Sequence, residues 1–166
     1  FLFDKLYILY RYSNNMKTIE GNFNNPDVYQ LLKKHFIELR SVSPEGSTHV
    51  LDIEGLQDNS IKFWSIYEND KLIGCGALKF LDPKHGEFKS IRVADSFRKK
   101  GYGKKIIEVL IEKSQGLNIQ KISVETGSGK FFLPARKLFK NSGFIICKPF
   151  SHYLDDPNSC YMCLKI

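Results

Sequence analysis

The residues with the clearest chemical potential are Arg98-Lys99-Lys100-Gly101-Tyr102-Gly103-Lys104-Lys105. Basic side chains surround two glycines. If such a turn leads from a strand into a helix, its N–H groups lack internal partners and the positive end of the helix dipole lies behind them. Glycines at 101 and 103 let the main chain close on an anion that a side chain would hold off. The chemistry implied is phosphate or pyrophosphate binding. Two other phosphate motifs do not fit. A P-loop places Lys and then Ser or Thr after its second glycine, whereas Lys104 and Lys105 follow Gly103. A dinucleotide fingerprint reads G-x-G-x-x-G, and its third glycine is missing here.

The elements around this turn are readable. Glu87 to Val93 predicts the strand that enters it. Tyr102, Ile106, Ile107, Leu110 and Ile111 recur on one face of the helix that leaves it, which Gly116 ends. Upstream, Asn25-Pro26-Asp27 is a helix start, with Val28, Leu31, Leu32, His35, Phe36 and Leu39 at helical spacing. Ile61 to Tyr67 and Leu72 to Leu81 predict a hairpin turning at Asn69-Asp70. Downstream come a strand over Lys121 to Glu125, a helix around Pro134 to Asn141 stopped by Gly143, and closing strands over Phe144 to Cys147 and Cys160 to Ile166. The result is an α/β (α+β) domain built on one mixed, mostly antiparallel sheet.

Composition sets the limits. The 166 residues carry 25 basic and 18 acidic side chains, a net charge of +7, which suits anionic ligands. No apolar run approaches the roughly 20 residues that cross a bilayer. Nucleic-acid binding through the basic turn would need interleaved aromatic side chains or a recognition helix; Tyr102 alone does not supply them. Cys160 and Cys163 form a C-x-x-C without the second pair or the Cys-His set of a zinc site. On a strand they face opposite sides, so no metal is expected. The absence of a secretion signal suits thiols in a reducing cytoplasm. Met16-Lys17-Thr18-Ile19 reads as an ordinary domain start. The expectation is therefore a non-native or upstream extension over residues 1–15, followed by a single domain over 16–166.

Arg98-x-x-Gly101-x-Gly103 resembles the [Q/R]-x-x-G-x-[G/A] pyrophosphate motif of the GNAT superfamily of N-acetyltransferases, and the element order matches that fold. Phe63-Trp64, Gly74-Cys75-Gly76-Ala77-Leu78, Glu87-Phe88-Lys89-Ser90, Glu125-Thr126-Gly127-Ser128-Gly129 and Asp156-Pro157-Asn158-Ser159 resemble the YsnE-like bacterial acetyltransferases. The resemblance spans Met16 to Ile166. It implies six or seven strands with about four helices, acetyl-CoA as donor and an amine, small or on a protein, as acceptor. A homodimer is within the expectation. The same motif would also serve a domain that binds acyl-CoA without catalysing transfer.

The resemblance also implies roles. Pantetheine would lie along Ile91, Arg92 and Val93, at a bulge where two strands part. A backbone N–H near Ile91 would stabilise the oxyanion. The pyrophosphate would rest on Arg98, Lys99, Lys100, Gly101, Tyr102, Gly103 and Lys104. An amine of pKa about 10.4 is neutral in only about one part in 10³ at pH 7, so a proton acceptor is needed. Glu87, eleven residues before Arg98, takes that place in histone-type members, and Glu125 is the second candidate. Glu87 has a structural reading as well, pairing with Lys89 or Lys84. The tyrosine that many members use as general acid is replaced here by Phe139, beside the bound cofactor. That leaves Tyr153, a water, or departure of CoA as the thiolate. His49, His152 and Tyr153 are candidates for the acceptor pocket.

Overall fold

A computed structural model describes residues 16–166. The expectation for residues 1–15 lies outside the described residues. The chain runs through β1 (Met16–Glu20), α1 (Pro26–Val42), β2 (Ile61–Glu68), β3 (Lys71–Asp82) and β4 (His85–Val93). It continues through α2 (Tyr102–Gly116), β5 (Lys121–Gly127), α3 (Leu133–Asn141), β6 (Ile145–Ile146) and β7 (Ser159–Lys165). The seven strands form one sheet in the order β1-β2-β3-β4-β5-β7-β6. Only β4 and β5 are parallel neighbours. Three α-helices are present among the described residues, one fewer than the resemblance implied.

Local chemistry explains most of these elements. The Asn25 side chain accepts from the N–H groups of Asp27 and Val28 and caps α1. Asn69 and Asp70 both have positive φ, 50° and 59°, which matches the twist of the β2–β3 hairpin. Gly143, at φ 93°, follows the end of α3. Strand β1 was not expected. Its five residues, Met-Lys-Thr-Ile-Glu, hold too few apolar side chains to show a period, and the strand exists because it pairs with β2 from Met16↔Glu68 to Glu20↔Trp64.

The sheet has a core on each face. Ile106, Ile107 and Leu110 of α2 are fully buried against Ile73, Leu78, Phe88, Ile122 and Val124, with Phe139 of α3 in the same cluster. Each such side chain contributes roughly 1.5–3 kcal/mol by leaving water. Val28, Leu31 and Leu32 of α1 cover Phe63, Cys75 and Ala77 on the other face. Because strand side chains alternate, Phe88 faces the first core while Glu87 and Lys89 face the second side. That alternation brings polar residues to the α1 side of the sheet's C-terminal half.

Candidate active site

The parallel pairing of β4 with β5 covers only His85↔Lys121, Gly86↔Ile122 and Glu87↔Ser123. Beyond it the strands part, and a cleft of about 350 Å³ opens between them. Its walls include Lys89, Ser90, Ile91 and Val93 of β4, Glu125 and Thr126 of β5, Leu138 and Phe139 of α3, and His35 and His49. The register explains the parting. Cys75 pairs with Arg92 but Ala77 pairs with Lys89, so Ser90 and Ile91 together oppose Gly76. Ser90 takes the strained left-handed conformation, φ 52°. Such a bulge leaves one residue's backbone groups outside the ladder. The Ser90 carbonyl accepts from Cys75 Sγ at 3.5 Å, and a group left outside the ladder can meet a ligand lying in the cleft.

The two candidate carboxylates occupy different environments. Glu87 is 1 % exposed and is not part of the cleft lining. Its Oε1 accepts from Tyr153 Oη at 2.5 Å and from Lys89 Nζ at 3.0 Å. Its Oε2 is buried without a partner. Glu125 is the one carboxylate among the described residues that line the cleft. Burial raises its pKa, opposed by Ser159 Oγ donating to Oε1 at 2.7 Å and by the charges of His49 and Lys89, while Glu87 adds to the rise.

Tyr153 is held where Glu87 and Lys89 meet. Its hydroxyl donates to Glu87 and accepts from Lys89 Nζ at 3.0 Å. Burial, with the Glu87 charge next, pushes its pKa far up. The ring meets His49 edge-on at 5.0 Å, which ties the loop before β7 to the cleft wall. His152 stacks on Tyr153 and is exposed, outside the lining. Phe139 combines two positions: it lines the cleft and is 5 % exposed, packed on Phe144.

The glycine turn follows β4 through the short helical turn Asp95–Phe97. Lys99 and Gly101 have φ of 58° and 82°, and α2 then starts at Tyr102 with no side chain capping its N-terminus. The first N–H groups of that helix therefore have no intrahelical partner. Lys99, Lys100 and Lys104 are exposed. Gly103 is close to α3, since a Cβ there would lie 2.8 Å from Leu138 Cδ2. The Tyr102 side chain is engaged by β2: its hydroxyl donates to Glu68 Oε2 at 2.5 Å.

Two of the cationic candidates are already paired. Arg92 is 6 % exposed, bonded to Glu38 and 3.6 Å from Asp95, so only its backbone is available to a cofactor. Arg98 lies 3.4 Å from Asp95 and 3.7 Å from Glu38. These contacts fasten the entry of the turn to α1. Sequence reasoning did not single out Lys89 or His35 as cleft residues. Each carried a signal, a charged residue on a buried strand and a histidine on the apolar face of α1. Burial lowers the His35 pKa to about 4, with the Arg92 charge adding to it.

This geometry has known counterparts. The model of the Acetyltransferase (GNAT) family matches residues 25–144. This chain belongs to that family. YsnE of Bacillus subtilis (strain 168), an uncharacterized N-acetyltransferase, is 43% identical over 139 residues, 84% of this chain and 92% of its own. YedL of Escherichia coli (strain K12), also an uncharacterized N-acetyltransferase, is 34% identical over 145 residues, 87% of this chain and 91% of its own. Among solved structures, a Bacillus subtilis acetyltransferase in complex with CoA superposes with a TM-score of 0.67 at 20% identity, covering 91% of this chain and 99% of that one. The seven-stranded mixed sheet, parting between β4 and β5, is thus the acetyltransferase fold.

Proposed function

We propose that this chain, an acetyl-CoA-dependent N-acetyltransferase, passes the acetyl group to a primary amine by direct attack, with Glu125 taking the amine's proton. One observation carries the assignment: Glu125 is the single carboxylate among the described residues lining the cleft that opens at the bulge. Its raised pKa brings it nearer to neutral pH than an ordinary carboxylate, which is the direction that favours a general base. Ser159 fixes one oxygen by donating to it. Glu87, with one oxygen engaged twice and the other sealed, holds Tyr153 and Lys89 in position instead.

Pantetheine lies between β4 and β5 along Ile91 and Val93, beside Phe139, and the thioester carbonyl meets the freed backbone of the bulge. The pyrophosphate sits on the uncapped turn from Lys99 to Lys104, where Gly101 lets the main chain turn left-handed. The acceptor enters on the side of His49 and Glu125. The four free cysteines fit a reducing compartment, which supports a cytoplasmic site of action.

Thermal unfolding with and without acetyl-CoA tests the donor site, with ATP as the control anion. Ligand at about 100 times its dissociation constant adds about 2.7 kcal/mol, a rise of roughly 5–10 °C for a domain of this size. Thiol release in the presence of a panel of primary amines tests transfer. No shift at millimolar acetyl-CoA would overturn the donor assignment.

A further inference from the structure

We infer that Lys89 is a further catalytic residue, the fixed positive charge that receives the departing CoA thiolate. The inference rests on the transfer reading above and adds what happens at the sulfur. Lys89 is the one lysine or arginine among the described residues lining the cleft. Its side chain is 9% exposed, and it directly precedes the Ser90–Ile91 bulge. The ammonium is held by two oxygens, Glu87 Oε1 and Tyr153 Oη, each at 3.0 Å. An ammonium has three donors, so one remains for a ligand.

Neither side chain weighed above at the general-acid position can protonate the sulfur. The Tyr153 hydroxyl proton is committed to Glu87. Phe139, on the opposite wall, has none to give. A thiol of pKa about 8.5 gives a thiolate stable enough to leave unprotonated. A newly formed anion between the strands still needs a charge to face it.

The charge balance favours this position. The amine's lone pair forms the C–N bond, its proton passes to Glu125, and the C–S electron pair leaves on sulfur. One negative charge therefore moves from the Glu125 carboxylate to the sulfur, and the total in the cleft stays constant. Lys89 acts on the charge at its starting point, since it is one of the charges felt by Glu125. By its place beside the bulge it also acts at the end point. Glu87 and Tyr153 are positioning residues in this account, because they hold the ammonium without touching the substrate.

The test compares wild type with Lys89→Gln, Lys89→Met and Lys89→Arg on two donors, acetyl-CoA and the acetyl thioester of p-nitrothiophenol, whose thiol is far more acidic. With acetyl-CoA, Lys89→Gln and Lys89→Met should lower kcat by roughly 10²-fold, with KM for acetyl-CoA little changed. Lys89→Arg should recover most of the rate. With the aryl thioester the same two variants should lose less than about fivefold, because its thiolate needs no stabilisation. Equal losses on both donors would mark Lys89 as structural and overturn the inference, leaving the transfer reading intact. Absence of thiol release from acetyl-CoA by wild type would overturn both. Failure of Lys89→Arg to recover the acetyl-CoA rate would overturn the inference even if the aryl thioester, which lacks pantetheine and pyrophosphate, is not turned over. Lys89→Gln retains a donor to Glu87, so it serves as the folded variant if Lys89→Met does not fold.

Discussion

Replacing Glu125 with glutamine is the sharpest test of the proton path. Gln is nearly isosteric, and its amide oxygen can accept the Ser159 hydroxyl that now reaches Glu125 Oε1 at 2.7 Å. The side chain is half-buried and supports no ion pair, so Glu125→Gln should melt within a few degrees of wild type. What it removes is a proton acceptor. General-base assistance contributes about 10²–10⁴-fold, or about 2.7–5.4 kcal/mol of barrier. The assay is thiol release from acetyl-CoA with the best amine of a panel, followed from pH 5 to pH 9. In wild type the carboxylate form is the active one, so the rate rises with pH through the Glu125 pKa. Burial places that limb above the ordinary carboxylate range. Both enzymes see the same amine, so their ratio cancels the acceptor's own titration. The ratio should show the raised acid limb, and Glu125→Gln alone should lack it. A loss under tenfold with that limb intact would refute the assignment. Glu87→Gln is the counterpart: it leaves Lys89 buried without its anion, so it should destabilise the fold by about 3–5 kcal/mol while keeping the acid limb. If it removes the limb instead, Glu87 is the base.

Two further outcomes follow from the geometry. Gly101→Ala places a Cβ in open space but forces a left-handed φ of 82°, so it should destabilise by about 1–2 kcal/mol and reduce the thermal shift given by acetyl-CoA; an unchanged shift would detach the turn from the pyrophosphate. His35 gives a pH signature in stability. Its folded pKa of about 4 lies below the ordinary 6.5, so the unfolded chain binds the extra proton and stability falls as pH drops through that window. At pH 5 the loss relative to pH 8 is about 2 kcal/mol, read as the difference in denaturant unfolding between wild type and His35→Gln; parallel curves would show that His35 titrates normally.

Some of this protein was legible in its residues because the determining forces are local. The Asn25 cap, the Asn69-Asp70 turn, the apolar face of α2 and the glycine turn each depend on neighbours within a few positions, so their spacing announces them. The short edge strand β1 left no such trace, because its pairing with β2 comes from more than 40 residues away. The family's spacing pointed to Glu87 and the neighbouring strand to Glu125 as proton acceptors, and the sequence could go no further. Which of them lines the cleft depends on strand alternation, on a bulge that turns β4, and on a tyrosine 66 residues from Glu87 in sequence. Tyr153 and Lys89 engage one Glu87 oxygen, and burial seals the other. Glu125, on the strand that parts from β4, is left to line the cleft. The sequence by itself determined a glycine turn between a strand and a helix. Tertiary structure alone decided which charges meet in the cleft, because a side chain's partners there are chosen by packing between strands distant in the chain, and burial then sets how strongly those charges act.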